Sequence, residues 1–163
     1  MIFLHNGFRV LLIDICAIIL VSPILLGVGG AALSRTDVPL PSSVQSRVWA
    51  WQLTLEKIEE RPLVGHGVEA SKEWRDTFGD KPELLEQMIR NTGIDDGRWE
   101  VYRILPGHPH NMGIQLWAET GFIGVALAII ALLVIGWKLP KPGEMELQTR
   151  IAVASLIGAS FAL

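Results

Sequence analysis

Residues 107–124, GHPHNMGIQLWAETGFIG, set two histidines and an asparagine at the mouth of a long apolar stretch. Pro109 biases His108 away from helical backbone, so the chain is expected to run extended to His110 and to enter a helix at His110 or Asn111. The proline is also expected to make the two histidines diverge. A helix start offers free N–H groups and the positive end of its dipole, which favour an anion. From Met112 to Trp137 the only charge is Glu119. As one helix at 1.5 Å per residue this stretch would rise about 39 Å, more than the ~30 Å of a bilayer core. A carboxylate deep in lipid costs about 2.5–3.5 kcal/mol unless it faces protein or water. Gln115 lies one turn before Glu119 on the same face, so the pair predicts a polar groove descending from the histidines. Gly121 and Gly124 are expected to let helices approach closely.

A second such stretch lies upstream. Residues 10–33 hold one charge, Asp14, and reach about 36 Å as a helix. A signal-peptide hydrophobic region of about 7–15 residues is shorter than this run, which therefore reads as a transmembrane helix. Cys16 lies inside it, so the chain's single cysteine has no disulfide partner and serves packing. Half of all residues are apolar, 19% are charged and the net charge is −3; the mean hydropathy is +0.37. No basic stripe appears, which argues against nucleic-acid binding. Arg9, Lys138, Lys141 and Arg150 flank the spans and mark the cytoplasmic side. The expected order is a cytoplasmic N-terminus (1–9), a transmembrane helix (10–33), an external loop (34–111), a transmembrane helix (112–137), a cytoplasmic loop (138–150) and the start of a truncated third helix (151–163).

The loop opens on a linker with prolines at 39 and 41. Val44, Val48, Trp51, Leu55 and Ile58 then recur at helical spacing, and Pro62 closes that helix. Arg47 sits one turn before Trp51, and its guanidinium fork suits phosphate oxygens. Gly65 and Gly67 bracket His66 as a turn. Residues 69–78 and 82–90 read as two short helices, the second with Pro82 in its first turn and Gly93 past its end. Residues 91–105 read as irregular. His66, His108 and His110 raise a zinc site. No cysteine or helical His-x-x-x-His pair supports it, so neither a metal nor any other cofactor is assigned.

These pieces resemble the O-antigen ligase and Wzy-type polymerase family of bacterial envelope glycosyltransferases. His110-Asn111 with Gly121 and Gly124 is similar to the signature at the edge of that family's large periplasmic loop. Ser46, Arg47, Trp49, Ile58, Glu60-Arg61-Pro62-Leu63, Gly65 and Gly67 are similar to the stretch that opens it. Leu127 departs from the family's small or tyrosine residue, and no arginine here matches its second diphosphate-binding arginine. The resemblance implies an all-α integral membrane protein with transmembrane helices flanking a large, mostly helical periplasmic loop. It implies a fragment of a multi-span GT-C-like glycosyltransferase of the inner membrane. It further implies transfer of a glycan from undecaprenyl diphosphate to a hydroxyl of lipid A core, glycan or protein, without a metal. His110 would be the general base and Arg47 the diphosphate ligand. His108, Asn111, Gln115 and Glu119 would support them, with Gly121 and Gly124 packing helices. Ligation, repeat-unit polymerisation and protein O-glycosylation stay open. So do a non-catalytic membrane subunit and an inactive truncated product, the latter suggested by the abrupt end at Leu163.

Overall fold

The computed structural model describes residues 7–34, 41–105, 107–138 and 144–162. Pro39, read as part of the linker, and Lys141, read as a cytoplasmic marker, lie outside them. Five α-helices follow in order: α1 (Gly7–Ser34), α2 (Ser42–Glu60), α3 (Pro82–Thr92), α4 (Met112–Lys138) and α5 (Leu147–Ala162). Among the described residues no strand forms; Thr77 and Arg103 make an isolated antiparallel bridge. Two helices, over Arg9–Ala32 and Met112–Lys138, are long and apolar enough to cross a membrane.

α1 and α4 pack antiparallel around Leu12, Ile15, Ile19 and Val125. Pro23, inside α1, has no N–H, so the carbonyl of Ile19 four residues earlier loses its helical partner. That carbonyl is recovered twice, by Ser22 Oγ at 2.9 Å and by the Trp117 indole N–H of α4 at 2.9 Å. The proline thus creates a buried acceptor, and the neighbouring helix supplies its donor. At the other end Arg9 donates to the carbonyls of Gly136 and Trp137, at 3.2 and 3.3 Å. A cation there satisfies carbonyls that α4 leaves open at its C-terminus. It also puts the start of α1 and the end of α4 at the same level.

α2 buries two faces. Val48, Trp51, Leu55 and Ile58 follow the expected spacing, with Val48 and Ile58 buried and Val44 exposed at its start. Trp49, Ala50 and Leu53 form a second face, which packs with Phe78, Ile104 and Leu105 into the core of the 41–105 segment. The seam between that segment and the long helices is Ile58, Ile114 and Ala118, with Trp51, Trp74 and Trp117 against them. α3 starts at Pro82 and stops at Gly93, which takes a left-handed conformation (φ 68°) and donates to the Ile89 carbonyl at 2.8 Å.

Residues 69–78 do not form the expected helix. Glu69 is left-handed at φ 60°, and only the short 3₁₀ turns Ala70–Lys72 and Phe78–Asp80 form. The second turn is held by the Asp80 carboxylate, which accepts from the Thr77 N–H and hydroxyl at 2.8 Å each. Those bonds, the backbone one foremost, hold the Asp80 carboxyl below its ordinary range. Residues 76–78 pair instead with 102–104, through Phe78 N–H to the Tyr102 carbonyl and Ile104 N–H to the Asp76 carbonyl. The segment read as irregular therefore supplies a pairing partner.

Candidate active site

The histidine loop is anchored by its proline. Pro109 is fully buried, while His108 and His110 on either side are exposed. The Trp51 indole N–H donates to the Pro109 carbonyl at 2.9 Å, which ties the loop to α2. His110 then takes a left-handed backbone conformation, φ 53°. Few non-glycine residues adopt it, and such strain persists only where the surroundings enforce it. The reversal brings the two imidazoles together, 4.4 Å between ring centroids with planes tilted 43°. The expected divergence of His108 and His110 is thus overturned: Pro109 turns inward and the left-handed residue folds the chain back.

Asn111 caps α4. Its side-chain oxygen accepts from Ile114 N–H at 3.2 Å and its carbonyl from Gln115 N–H at 3.1 Å. The cap takes up one of the helix's free N–H groups, so the terminus offers an anion less than the sequence suggests. Trp51→Phe would leave the buried Pro109 carbonyl without its donor, at a cost of about 1–3 kcal/mol. The expected result is a lower thermal midpoint of the intact protein, and an unchanged midpoint would mean that water replaces the indole.

Nine residues into α4 the helix breaks. Gly121 adopts φ 62°, ψ −170°, a region essentially reserved for glycine. The turn after α2 fills the gap. His66 and Gly67 N–H groups donate to the carbonyls of Ala118 and Glu119, each at 2.9 Å. In return Phe122 and Ile123 N–H groups donate to the carbonyls of Pro62 and Leu63, at 2.8 and 3.1 Å. Both raw ends of the helix are therefore closed by backbone from another segment. A methyl group on Gly65 would fall on the Glu119 carbonyl, and one on Gly121 on the peptide joining Leu63 and Val64. Gly121 thus admits this turn rather than another helix, and Gly124 faces the Thr120 side chain of its own helix. The second apolar stretch is two half-helices, and residues 122–138 alone rise only about 25 Å.

Gln115 Nε2 donates to the Glu119 carboxylate at 2.9 Å along the first half-helix, so the two polar side chains share a face as the spacing requires. Arg47 is exposed on α2, one turn before the tryptophan that holds the histidine loop, and has no ion pair among the described residues. His66 stands apart: its Nε2 meets the Lys57 carbonyl at 2.7 Å and its ring packs edge-on to Trp74 at 5.9 Å. Nearby, the Lys57–Glu60 hydrogen bond raises the ammonium's pKa and lowers the carboxyl's. Among the described residues no three His, Cys, Asp or Glu side chains gather into a metal-binding group.

The family model described as O-antigen ligase matches residues 1–129, which include both the histidine loop and the turn that closes the broken helix. The chain belongs to the O-antigen ligase family. It is similar to a Rickettsia bellii protein named "Putative polysaccharide ligase", 29% identical over 109 residues, or 66% of this chain and 24% of that protein. Namesakes in Rickettsia conorii and Rickettsia prowazekii are 33% and 30% identical over 95 residues, each covering 58% of this chain and 20% of the relative. The chain therefore spans a quarter or less of the length of the relatives it matches. No solved structure matches with comparable significance. Within this family segment, sequence reasoning missed Trp51 as the anchor of the histidine loop. Its position one turn beyond Arg47 was the available signal.

Proposed function

We propose that this chain supplies the general base and a diphosphate-binding arginine of an inner-membrane glycosyltransferase. That enzyme transfers a glycan from undecaprenyl diphosphate to an acceptor hydroxyl during surface polysaccharide assembly. α1 and α4 cross the bilayer in this reading, and the segment between them lies in the periplasm. The observation that carries it is the exposed, left-handed His110 just before α4, next to the Pro109 carbonyl that Trp51 bonds, with exposed Arg47 one turn before Trp51 on α2. An ordinary solvated loop has no need of that strain.

In the reaction His110 takes the proton of the acceptor hydroxyl as its oxygen bonds to the anomeric carbon. The anomeric C–O bond to the diphosphate breaks on the opposite face, and the leaving group departs with the electron pair. Arg47 pairs with its growing negative charge through two parallel N–H donors. The sugar inverts, and base and cation both come from side chains. Asn111 fixes the helix start below the base, while Gln115 and Glu119 line the descent into the membrane. Lipid A core, a glycan or a protein could offer the hydroxyl, since each presents the same group to His110.

Arg47→Lys tests the pairing because it keeps the charge and removes the fork. Transfer in membranes of a deletion strain complemented with the intact protein should fall about tenfold, the loss of one charge-assisted bond. A wild-type rate at equal protein level would reduce Arg47 to a surface charge.

A further inference from the structure

We propose that the cleft formed by the turn after Gly65 binds sugar residues of the transferred or accepting glycan, an inference that rests on the glycan-transfer reading. The cleft has a volume of about 470 Å³ and is lined by His66, Val68, Glu69, Lys72, Glu73 and Trp74 among others. Its size is that of a small-molecule site.

The floor is rigid for reasons already given. The backbone of His66 and Gly67 is bonded to the carbonyls of Ala118 and Glu119. The His66 ring is pinned at Nε2, which donates to the Lys57 carbonyl, an atom that can only accept. Trp74 stands edge-on to that ring at 81°. Its indole N–H has no partner among the described residues, and the exposed Glu73 carboxylate has none either. Lys72 is paired with Glu69 on the rim.

A partly exposed indole, its free N–H donor and a free carboxylate acceptor suit a polyhydroxylated ring, whose hydroxyls both donate and accept and whose C–H face is apolar. Two carboxylates against one ammonium disfavour a diphosphate. The position also fits. Trp74 packs against the cluster of Ile58, Ile114 and Ala118, the last two on the half-helix that starts just after His110, and Met112 to Ala118 is about 9 Å of helical rise. A glycan reacting at His110 would lay its following sugars along that half-helix toward the cleft.

The test uses the intact protein in nanodiscs. The probe is the oligosaccharide released by mild acid from the producing strain's lipid-linked glycan. Glu73→Gln, at an exposed side chain that supports no other residue, should weaken probe binding about fivefold, the loss of one hydrogen bond. Trp74→Ala should weaken it further; if that variant fails to fold, Glu73→Gln and Glu73→Lys decide. In transfer assays the same variants should raise one KM at constant kcat. A raised donor KM places donor sugars in the cleft, and a raised acceptor KM places acceptor sugars there. Unchanged binding and unchanged KM values in both Glu73 variants would overturn the proposal, as would displacement of the probe by inorganic pyrophosphate. His110→Asn distinguishes the two readings: its full activity would sink the base assignment and leave the binding measurement standing.

Discussion

His110→Asn is expected to cut glycan transfer by about a hundred- to ten-thousand-fold, the usual contribution of a positioned base. Asparagine is the informative replacement because the residue sits at φ 53°. Asparagine tolerates left-handed backbone better than most residues, so it preserves the reversal into α4 while its amide cannot take a proton from a hydroxyl. His110→Ala removes the imidazole too, but adds strain at the same φ and so confounds chemistry with folding. Both should leave the protein in the membrane at wild-type level, since the His110 side chain is exposed and the loop is held by Pro109 and Trp51. His108 is the internal comparison. Its ring lies 4.4 Å from that of His110, yet it does not occupy the left-handed position. His108→Asn should therefore retain most of the activity that His110→Asn loses. The measurement is transfer of the strain's own lipid-linked glycan at matched protein amount. A wild-type rate in His110→Asn would end the base assignment, and equal losses in both variants would shift the role to the imidazole pair.

The fold was legible where one residue type decides one geometry. The apolar runs named α1 and the extent of α4, though not its break at Gly121, and the 44–58 spacing named α2. Pro82 and Gly93 bounded α3. What stayed hidden depends on partners distant in the chain. The role of Pro23 is visible only once Trp117, ninety-eight residues from the freed Ile19 carbonyl, is seen to donate to it. The second face of α2, with Trp49 and Leu53, meets residues beyond position 77, and no periodicity within the helix announces that. At the site, Gly65 and Gly121 each carry a correct local message, freedom of backbone. The sequence alone assigned that freedom to a turn and to helix packing separately. Their mutual contact appears only when the turn is laid into the break.

That contact makes Gly121→Ala the substitution with the largest expected effect on folding. The added methyl forces alanine into a backbone region costing roughly 1–3 kcal/mol, and drives it into the peptide between Leu63 and Val64, where relief costs about as much again. Relief by withdrawing the turn exposes the carbonyls of Ala118 and Glu119 and the N–H groups of Phe122 and Ile123 together. Four backbone groups then lose their partners at once, each at a cost of about 1–3 kcal/mol where water does not replace the partner, so withdrawal is the worse route. The expected result is loss of folded protein, or a strongly lowered thermal midpoint with new cleavage by protease in residues 62–67. Gly65→Ala, at φ 66° against the peptide joining Glu119 and Thr120 on the other side of the same contact, should behave alike. Because both variants break one interface, the double variant should cost less than the sum of the two. Gly29→Ala, on α1 with open space around it, controls for substitution of a glycine in a long apolar helix and should be neutral or mildly stabilising. A wild-type midpoint and uncut turn in Gly121→Ala would mean that the helix runs on unbroken through position 121. The turn would then be free of it, and α2 with Arg47 would be tied to α4 by Trp51 and the apolar seam alone.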